Sequence, residues 1–148
     1  MKIVVDTNII FSAILNTNGK IGDLLLNSDD VFQFYSPDFT QEELKEHHEK
    51  LEKLSKLSLD EIETVKALLF KHIRFINSAI IPLDVWIYAE NIMASIDPDD
   101  TEFFALSEYL DCFTWTGDKK QHNKLLAKNI RKTILTADLW ELRKALRE

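Results

Sequence analysis

The sequence predicts a three-layer α/β/α sandwich around a central parallel sheet of four or five strands. Short apolar runs alternate along the chain with longer segments that have helical periodicity. With three glycines, three prolines and 45% hydrophobic residues, the composition is that of a folded protein with little linker content. The length of 148 residues suits one hydrophobic core, so we expect a single domain over residues 1–148.

Five short segments are predicted as strands. Residues 3–5 (IVV) form an apolar, β-branched run, which is typical of a strand buried on both faces. Residues 31–35 (VFQFY) and 113–116 (FTWT) are further apolar runs, and Gly117 and Asp118 end the second of them. Weaker patterns predict strands over residues 75–81 and 130–135.

The segments between these strands have the apolar spacing of helices. The predicted helices cover residues 8–15, 19–26, 37–54, 59–73, 83–96, 101–110 and 119–128, followed by a capped helix over 136–148. The strongest begins at Pro37 and carries glutamates early and lysines late, which favours a stable helix. Ser58 and Glu61 have the spacing of a capping box at the start of the next helix. Strands alternating with helices imply a parallel sheet covered on both faces.

The charge distribution limits the partners of the protein. A formal net charge of −7 argues against a protein that coats nucleic acid, because such binding depends on Lys and Arg. Residues 29–63 contain eleven acids and four lysines, whereas residues 119–132 contain six basic residues and no acid. The acidic stretch is interpreted as a solvated helix face. The basic stretch is either another solvated face or a surface that holds a nucleic-acid backbone.

The single cysteine and the lack of long apolar runs indicate the cellular compartment. Cys112 excludes an internal disulfide and is expected to be an inert thiol in the core. The opening apolar run is too short for a signal peptide, and no run reaches the roughly 18 apolar residues of a membrane helix. We therefore expect a cytoplasmic protein.

Four acidic residues stand at the ends of predicted elements. They are Asp6 after the first strand, Glu43 in the first turns of a helix, Asp100 at a helix start, and Asp118 after the FTWT strand. The carboxyl ends of parallel strands meet at one edge of a sheet, where the sites of open α/β folds form. We therefore expect the four carboxylates to converge there.

Converging carboxylates need a compensating cation, because each raises the pKa of the others. Carboxylate oxygens without a Cys or His ligand pattern suit Mg²⁺ or Mn²⁺ and give no support for zinc. Such an ion activates a water nucleophile and stabilises a leaving oxygen. Phosphodiester hydrolysis is therefore the chemistry that best fits a site made only of acids.

Four segments, VVDTNII, SPDFTQEEL, DPDDTEFFALSEYL and TWTGDKK, resemble in order and spacing the acidic motifs of the PIN domain family. The resemblance extends over nearly the whole chain. It implies a VapC-like, metal-dependent ribonuclease, of the kind often found as the toxin of a bacterial or archaeal toxin–antitoxin pair. It also implies RNA as the substrate, an antitoxin that inserts a peptide into an apolar groove near the N-terminal helices, and a homodimer, which is common in the family.

The resemblance assigns roles to the acids of these motifs. Asp6, Asp100 and Asp118 look like the metal ligands. Glu43, six positions after Pro37, looks like the fourth catalytic acid. Asp97 and Asp99 stay open as alternatives to Asp100.

Neighbouring residues are assigned supporting roles in the same way. Asn8 resembles the polar residue that orients Asp6, and Thr116 resembles the hydroxyl residue beside Asp118. Lys119 and Lys120 are the candidates that hold the RNA backbone, since they directly follow Asp118. Many family members carry a further acid where this chain has Lys120, so occupation of a second metal site is open.

Simpler interpretations exist for the acids. Asp6, Asp100 and Asp118 each precede a helix, and aspartate is a strong N-cap residue, worth roughly 1 kcal/mol. Capping does not exclude metal binding. The competing class of protein is a PIN-like module that acts through a protein partner without catalysis, which Lys120 and the acidic helix segment 42–52 favour.

The histidines and tryptophans are expected to be structural. His47 and His48 are predicted as exposed helix residues, and the sequence suggests no partner for His72 or His122. The three tryptophans are expected to pack in the core or between helices, although Trp115 could instead form a wall of the site.

Overall fold

The computed structural model describes residues 1–148, with five strands and nine α-helices. The strands are β1 (Lys2–Val5), β2 (Gln33–Pro37), β3 (Ile73–Ile76), β4 (Phe113–Trp115) and β5 (Thr133–Ile134). The helices are α1 (Thr7–Leu15), α2 (Lys20–Leu26), α3 (Phe39–Glu46), α4 (His48–Ser55), α5 (Leu59–Phe70), α6 (Leu83–Met93), α7 (Thr101–Leu110), α8 (Lys119–Ala127) and α9 (Thr136–Arg147). None of these helices is both long and apolar enough to cross a membrane.

The five strands form one parallel sheet in the order β3-β2-β1-β4-β5. Ile3 and Val5 of the central strand point to one face, where they pack with α1, α2, α5 and α9. Val4 points to the other face and packs with α6, α7 and α8. The predicted three-layer fold with a parallel sheet is confirmed, and all five strands end at the same edge.

The predicted helix over residues 37–54 is wrong, because two helices cover this segment. The backbone leaves the helical conformation at His47 (φ −93°, ψ 15°), which ends α3 and begins α4. The His47 ring packs edge-on against Phe11 of α1, with ring centroids 6.3 Å apart. Leu44 and Leu51, one on each side of the break, are both buried in the same core. Local propensity carries no information about this tertiary contact.

The boundary between the helix and the strand around residue 73 is also corrected. α5 ends at Phe70, and Ile73 already belongs to β3, where it pairs with Phe34 of β2. The predicted strand over 75–81 stops at Ile76 because the Asn77 side chain accepts a hydrogen bond from the Ala79 amide (2.9 Å) and starts a 3₁₀ turn. The pairing of β3 with β2 therefore overrides the helical pattern.

One of the predicted helix caps is confirmed and another is wrong. The Ser58 hydroxyl accepts a hydrogen bond from the Glu61 amide, and the Glu61 carboxylate accepts one from the Ser58 amide, both at 3.2 Å. The capping box is therefore confirmed. The side-chain cap expected on the last helix is absent, because the position before Thr136 is Leu135, which has no oxygen to offer.

Arg143 links α9 to α2 and to the segment that follows α2. We expect the removal of its side chain to lower the unfolding free energy by about 2 kcal/mol. This buried guanidinium donates to the Asp23 carboxylate (2.6 Å) and the Ser28 hydroxyl (3.1 Å), and it lies over the Trp140 ring. In the Arg143→Ala variant the Ser28 hydroxyl would be buried without this partner. Urea unfolding measures the loss, and Lys144→Ala, an exposed neighbour, should change stability by less than about 0.5 kcal/mol.

Candidate functional site

Asp6 lies at the carboxyl end of the central strand and is buried, with 5% of its surface exposed. Its carboxylate caps α1 by accepting a hydrogen bond from the Ile9 amide at 3.0 Å. The Thr116 hydroxyl and the Asn8 backbone amide also hydrogen-bond this carboxylate. The helix-cap interpretation is thus correct for Asp6, and it leaves open a second role for the same group.

Asp118 follows β4 and is far from Asp6 in sequence, but both lie at the same edge of the sheet, because β4 pairs in parallel with β1. It caps α8 by accepting a hydrogen bond from the Gln121 amide at 2.9 Å, and it is exposed. The Asp118 amide donates to the Thr116 hydroxyl (3.1 Å). Thr116, which is fully buried, therefore contacts both acids.

Asp100 occupies the position before α7 and makes no capping hydrogen bond there. Its Oδ2 instead accepts a hydrogen bond from Gln121 Nε2 at 2.6 Å. Gln121 is buried on the inner face of α8, one turn before the buried Leu125. Sequence reasoning missed this residue, although a glutamine one helical turn from a core leucine and three positions after Asp118 is a signal for it.

Glu43 projects from α3 toward the start of α1. The Thr7 hydroxyl donates to Glu43 Oε1 at 2.9 Å, and Thr7 directly follows Asp6. Glu43 is half-buried and also acts electrostatically on Asp100. The four predicted acids, from four distant parts of the chain, therefore lie around one edge of the sheet.

The electrostatics of this edge are unfavourable without a cation. The pKa of Asp6 is raised to about 6, chiefly by burial and in part by the charge of Asp100, against hydrogen bonds from Ile9 and Thr116. The pKa of Asp100 is likewise raised to about 6, chiefly by burial and in part by the charges of Asp97, Asp118 and Glu43. Neither carboxylate forms an ion pair with a Lys or Arg of the chain.

The donor chemistry of the site fits a hard divalent cation. The groups present are carboxylate oxygens with amide and hydroxyl support, and buried acids without a basic partner are electrostatically uncompensated. At the same time, no three His, Cys, Asp or Glu side chains surround a common point as a complete ligand set. Mg²⁺ and Mn²⁺ usually keep several waters and need only a few protein ligands.

A small cavity of about 10 Å³ lies behind the acids. Asp6 and Asp100 line it together with apolar side chains of α7 and α8. This volume holds no more than about one water molecule. A substrate must therefore approach from the open side, where Asp118 is exposed.

The other predicted site residues lie around the acids as follows. The Asn8 side chain is exposed, so that only its backbone amide touches Asp6. Lys119 and Lys120 are exposed in the first turn of α8. Asp97 accepts a hydrogen bond from the Asp99 amide (3.2 Å), and Asp99 lines a separate groove with Trp86.

The structure also locates the tryptophan, histidine and cysteine side chains considered in the sequence. Trp115 packs in the core, as expected, where it is fully buried and does not form a wall of the site. His72 and His122 have partners, Asp29 and the Thr133 hydroxyl respectively. Cys112 is half-buried at the amino edge of the sheet, where burial raises the pKa of its thiol to about 11 and keeps it protonated.

Comparison with known proteins places this geometry in a family. A family model described as PIN domain matches residues 4–142, whereas no curated protein matches the sequence. The crystal structure of VapBC2 from Rickettsia felis bound to a DNA fragment from their promoter has a similar fold, with a TM-score of 0.66 and 14% identity over 91% of this chain and 97% of that chain. At this identity the likeness concerns the fold. Because the family model covers nearly the whole sequence, the chain belongs to the PIN domain family.

Proposed function

We propose that residues 1–148 form one domain that is a metal-dependent endoribonuclease, with Asp6, Asp100 and Asp118 as ligands of Mg²⁺ or Mn²⁺. The observation that carries the proposal is the buried Asp6 beside Asp100, both with a pKa of about 6 and neither in an ion pair with a basic side chain. Such a pair is destabilising unless a cation binds there. The membership of the PIN domain family supports the same assignment.

Each acid has its own support within the chain. The Ile9 amide and the Thr116 hydroxyl hold the Asp6 carboxylate, and the Gln121 amide group holds that of Asp100. The Thr7 hydroxyl orients Glu43, which adds negative charge next to the ligands. When bound, the metal ion would activate a water as the nucleophile and stabilise the leaving oxygen. In this proposal no protein side chain attacks the phosphate.

Lys119 and Lys120 are proposed to contact the RNA backbone. Both are exposed and follow Asp118 directly, so their ammonium groups offset the repulsion between the acids and the phosphates. Neither forms an ion pair with an acid of the chain. Their charges are therefore available to a ligand.

A cleavage assay tests the proposal directly. Wild-type protein is incubated with single-stranded RNA in the presence of Mn²⁺ or Mg²⁺, and in excess EDTA. We expect internal cleavage with metal and none with EDTA. Failure to cleave any RNA in a mixed-sequence pool, with either metal, would contradict the assignment as a nuclease.

Gln121→Leu is expected to weaken Mn²⁺ binding about tenfold, since removal of a hydrogen bond that orients a ligand typically costs tenfold or more. Leucine keeps the volume of the side chain but cannot donate to Asp100. Calorimetric titration measures the affinity. The matched control is Gln33→Leu, an exposed position at the other edge of the sheet, which should bind Mn²⁺ like the wild type.

A catalytically inactive binding module is the alternative. Lys120, in place of a further acid, and the absence of a preformed three-carboxylate set favour it. Titration with Mn²⁺ separates the two, because an inactive module has no requirement for metal. Heat of binding that disappears in Asp6→Asn supports the enzyme, whereas no heat in the wild type supports the module.

The protein partner is proposed to be an antitoxin. The fold resembles a protein solved as VapBC2 with promoter DNA, which supports a role for this chain in a pair of the same kind. We also propose that this chain forms a homodimer. Co-expression with the protein encoded next to it, followed by light scattering, would show whether a complex forms and how many copies it contains.

A further inference from the structure

A basic groove lies at the amino edge of the sheet, opposite the acids. Its volume is about 550 Å³, within the range of ligand-binding pockets. Leu110, Cys112 and Phe113 form an apolar floor. Lys2, Arg131 and Lys132 contribute the basic side chains of the rim. Neither the proposed metal site nor the two lysines after Asp118 are part of it.

Two of the three cations of this groove have no acidic partner. Lys132 is neutralised by Glu108 at 3.3 Å and by Asp111 at 3.9 Å. Lys2 and Arg131 take part in none of the ion pairs of the structure. The Lys2 ammonium lies only over the Tyr35 ring, 6.0 Å from its centroid. In a chain with a net charge of −7, two uncompensated cations at one groove favour the binding of an anion there.

The charge of the groove distinguishes it from the other large groove. That groove, of about 590 Å³, is lined by Glu90, Asp99 and Glu102 and by no basic side chain. A phosphate chain would be repelled there, because uncompensated carboxylates surround it. Of the two, only the groove at the amino edge combines apolar surface with free positive charge.

The combination of an apolar floor and a cationic rim matches a nucleotide. A base can pack on Leu110 and Phe113, while Arg131 and Lys2 bind the phosphates, Arg131 through two parallel N–H donors. β1 begins at Lys2 and ends just before Asp6, so the groove lies about 13 Å from the acids along this strand. A single dinucleotide at the acids is too short to follow the surface into the groove.

We propose that the groove formed by Lys2, Arg131 and the floor around Phe113 binds a nucleotide of the RNA substrate that is distant from the cleaved bond. The proposal rests on the ribonuclease function proposed above. The groove holds long RNA on the enzyme, and the acids at the opposite edge cut it. Its contribution is to binding rather than to the chemical step.

RNA binding without metal tests the groove independently of cleavage. A fluorescent single-stranded RNA of roughly 20 nucleotides is titrated with the full-length protein in EDTA and followed by anisotropy. We expect the Lys2→Gln/Arg131→Gln variant to bind about tenfold more weakly and to lose about two from the slope of affinity against salt. Both side chains are exposed, so the fold should be retained, which melting curves check.

The matched control is Lys53→Gln/Lys144→Gln, which removes the same charge from exposed positions of α4 and α9. We expect this variant to bind RNA within about twofold of the wild type. Both positions lie in the helical layer that packs on the Ile3 and Val5 face of the sheet, away from the groove. Asp111→Asn, which removes the acid inside the groove, should instead strengthen binding about twofold.

Kinetics with metal provide the second readout. On long RNA the Lys2→Gln/Arg131→Gln variant should raise KM with unchanged kcat, and on a dinucleotide it should change neither. Equal weakening by both double variants, no RNA binding in EDTA, or tighter binding of free mononucleotides than of RNA would each overturn the proposal. If the groove variant loses RNA binding while the wild type cleaves nothing, the nuclease assignment fails and the groove as a nucleotide site stands.

Discussion

Asp6→Asn is expected to reduce RNA cleavage by at least about 100-fold and, at the same time, to stabilise the metal-free protein. Asparagine keeps the cap of α1, because its side-chain oxygen can accept the same hydrogen bond from the Ile9 amide. It removes the charge that burial makes costly at this position. A purely structural acid would show the opposite pattern, since its loss would lower stability.

The stability change has a defined dependence on pH. Asp6 has a pKa of about 6 in the folded protein and 3.8 ordinarily, so between these values the folded state holds a proton that the unfolded state has released. The stability of the metal-free wild type therefore falls as the pH rises through this range. Above pH 6 the cost is on the order of 3 kcal/mol, and Asp6→Asn should be more stable by that amount.

Denaturant unfolding in EDTA at several pH values measures this difference. The difference in unfolding free energy between the variant and the wild type should disappear below about pH 4, where Asp6 is protonated in both the folded and the unfolded state. The control is Asp138→Asn, an exposed acid in the first turn of α9, which should leave cleavage unchanged. Full activity of Asp6→Asn would remove Asp6 from the catalytic set.

Mn²⁺ affinity is expected to fall about 100-fold between pH 7 and pH 5. Asp6 and Asp100 both have a pKa of about 6, and a carboxylate must lose its proton before it binds a metal. Each group goes from about nine-tenths ionised at pH 7 to about one-tenth at pH 5, which contributes about tenfold. Ordinary exposed aspartates would give almost no change over this range.

Calorimetry in buffers of different ionisation enthalpy counts the protons released on binding. About one proton per metal ion, shared between the two carboxyls, is expected at pH 6. Asp138→Asn should retain the whole dependence. An affinity that is constant from pH 7 to pH 5 would show that neither acid is a ligand.

The placement of the acids follows from the sequence because the fold is parallel. Once alternating strands and helices are recognised, the carboxyl ends of β1 and β4 must lie at one edge of the sheet, and Asp6 and Asp118 stand within three residues of those ends. The break at His47 and the ring that packs against Trp115 could not be predicted in this way. Both depend on which side chains of distant elements meet, such as Phe11 with His47 and Phe34 with Trp115.

The partner of Asp100 illustrates the same limit within the site. An acid before a helix predicts a cap, and Asp100 stands in that position without capping. Gln121 of α8 donates a hydrogen bond to the Asp100 carboxylate instead. This contact depends on how α7 and α8 pack against each other. Spacing along the chain identifies the residues of a site more readily than the hydrogen bonds between them.

The bridge made by Gln121 joins two helices at the proposed site. Asp118 and Gln121 lie at the start of α8, and Gln121 donates a hydrogen bond to Asp100, which precedes α7. Asp6 is held instead by the sheet, through its backbone amide, and by α1, through its cap. Two of the three proposed metal ligands therefore depend on how α8 packs against its neighbours, whereas the third depends on the strands.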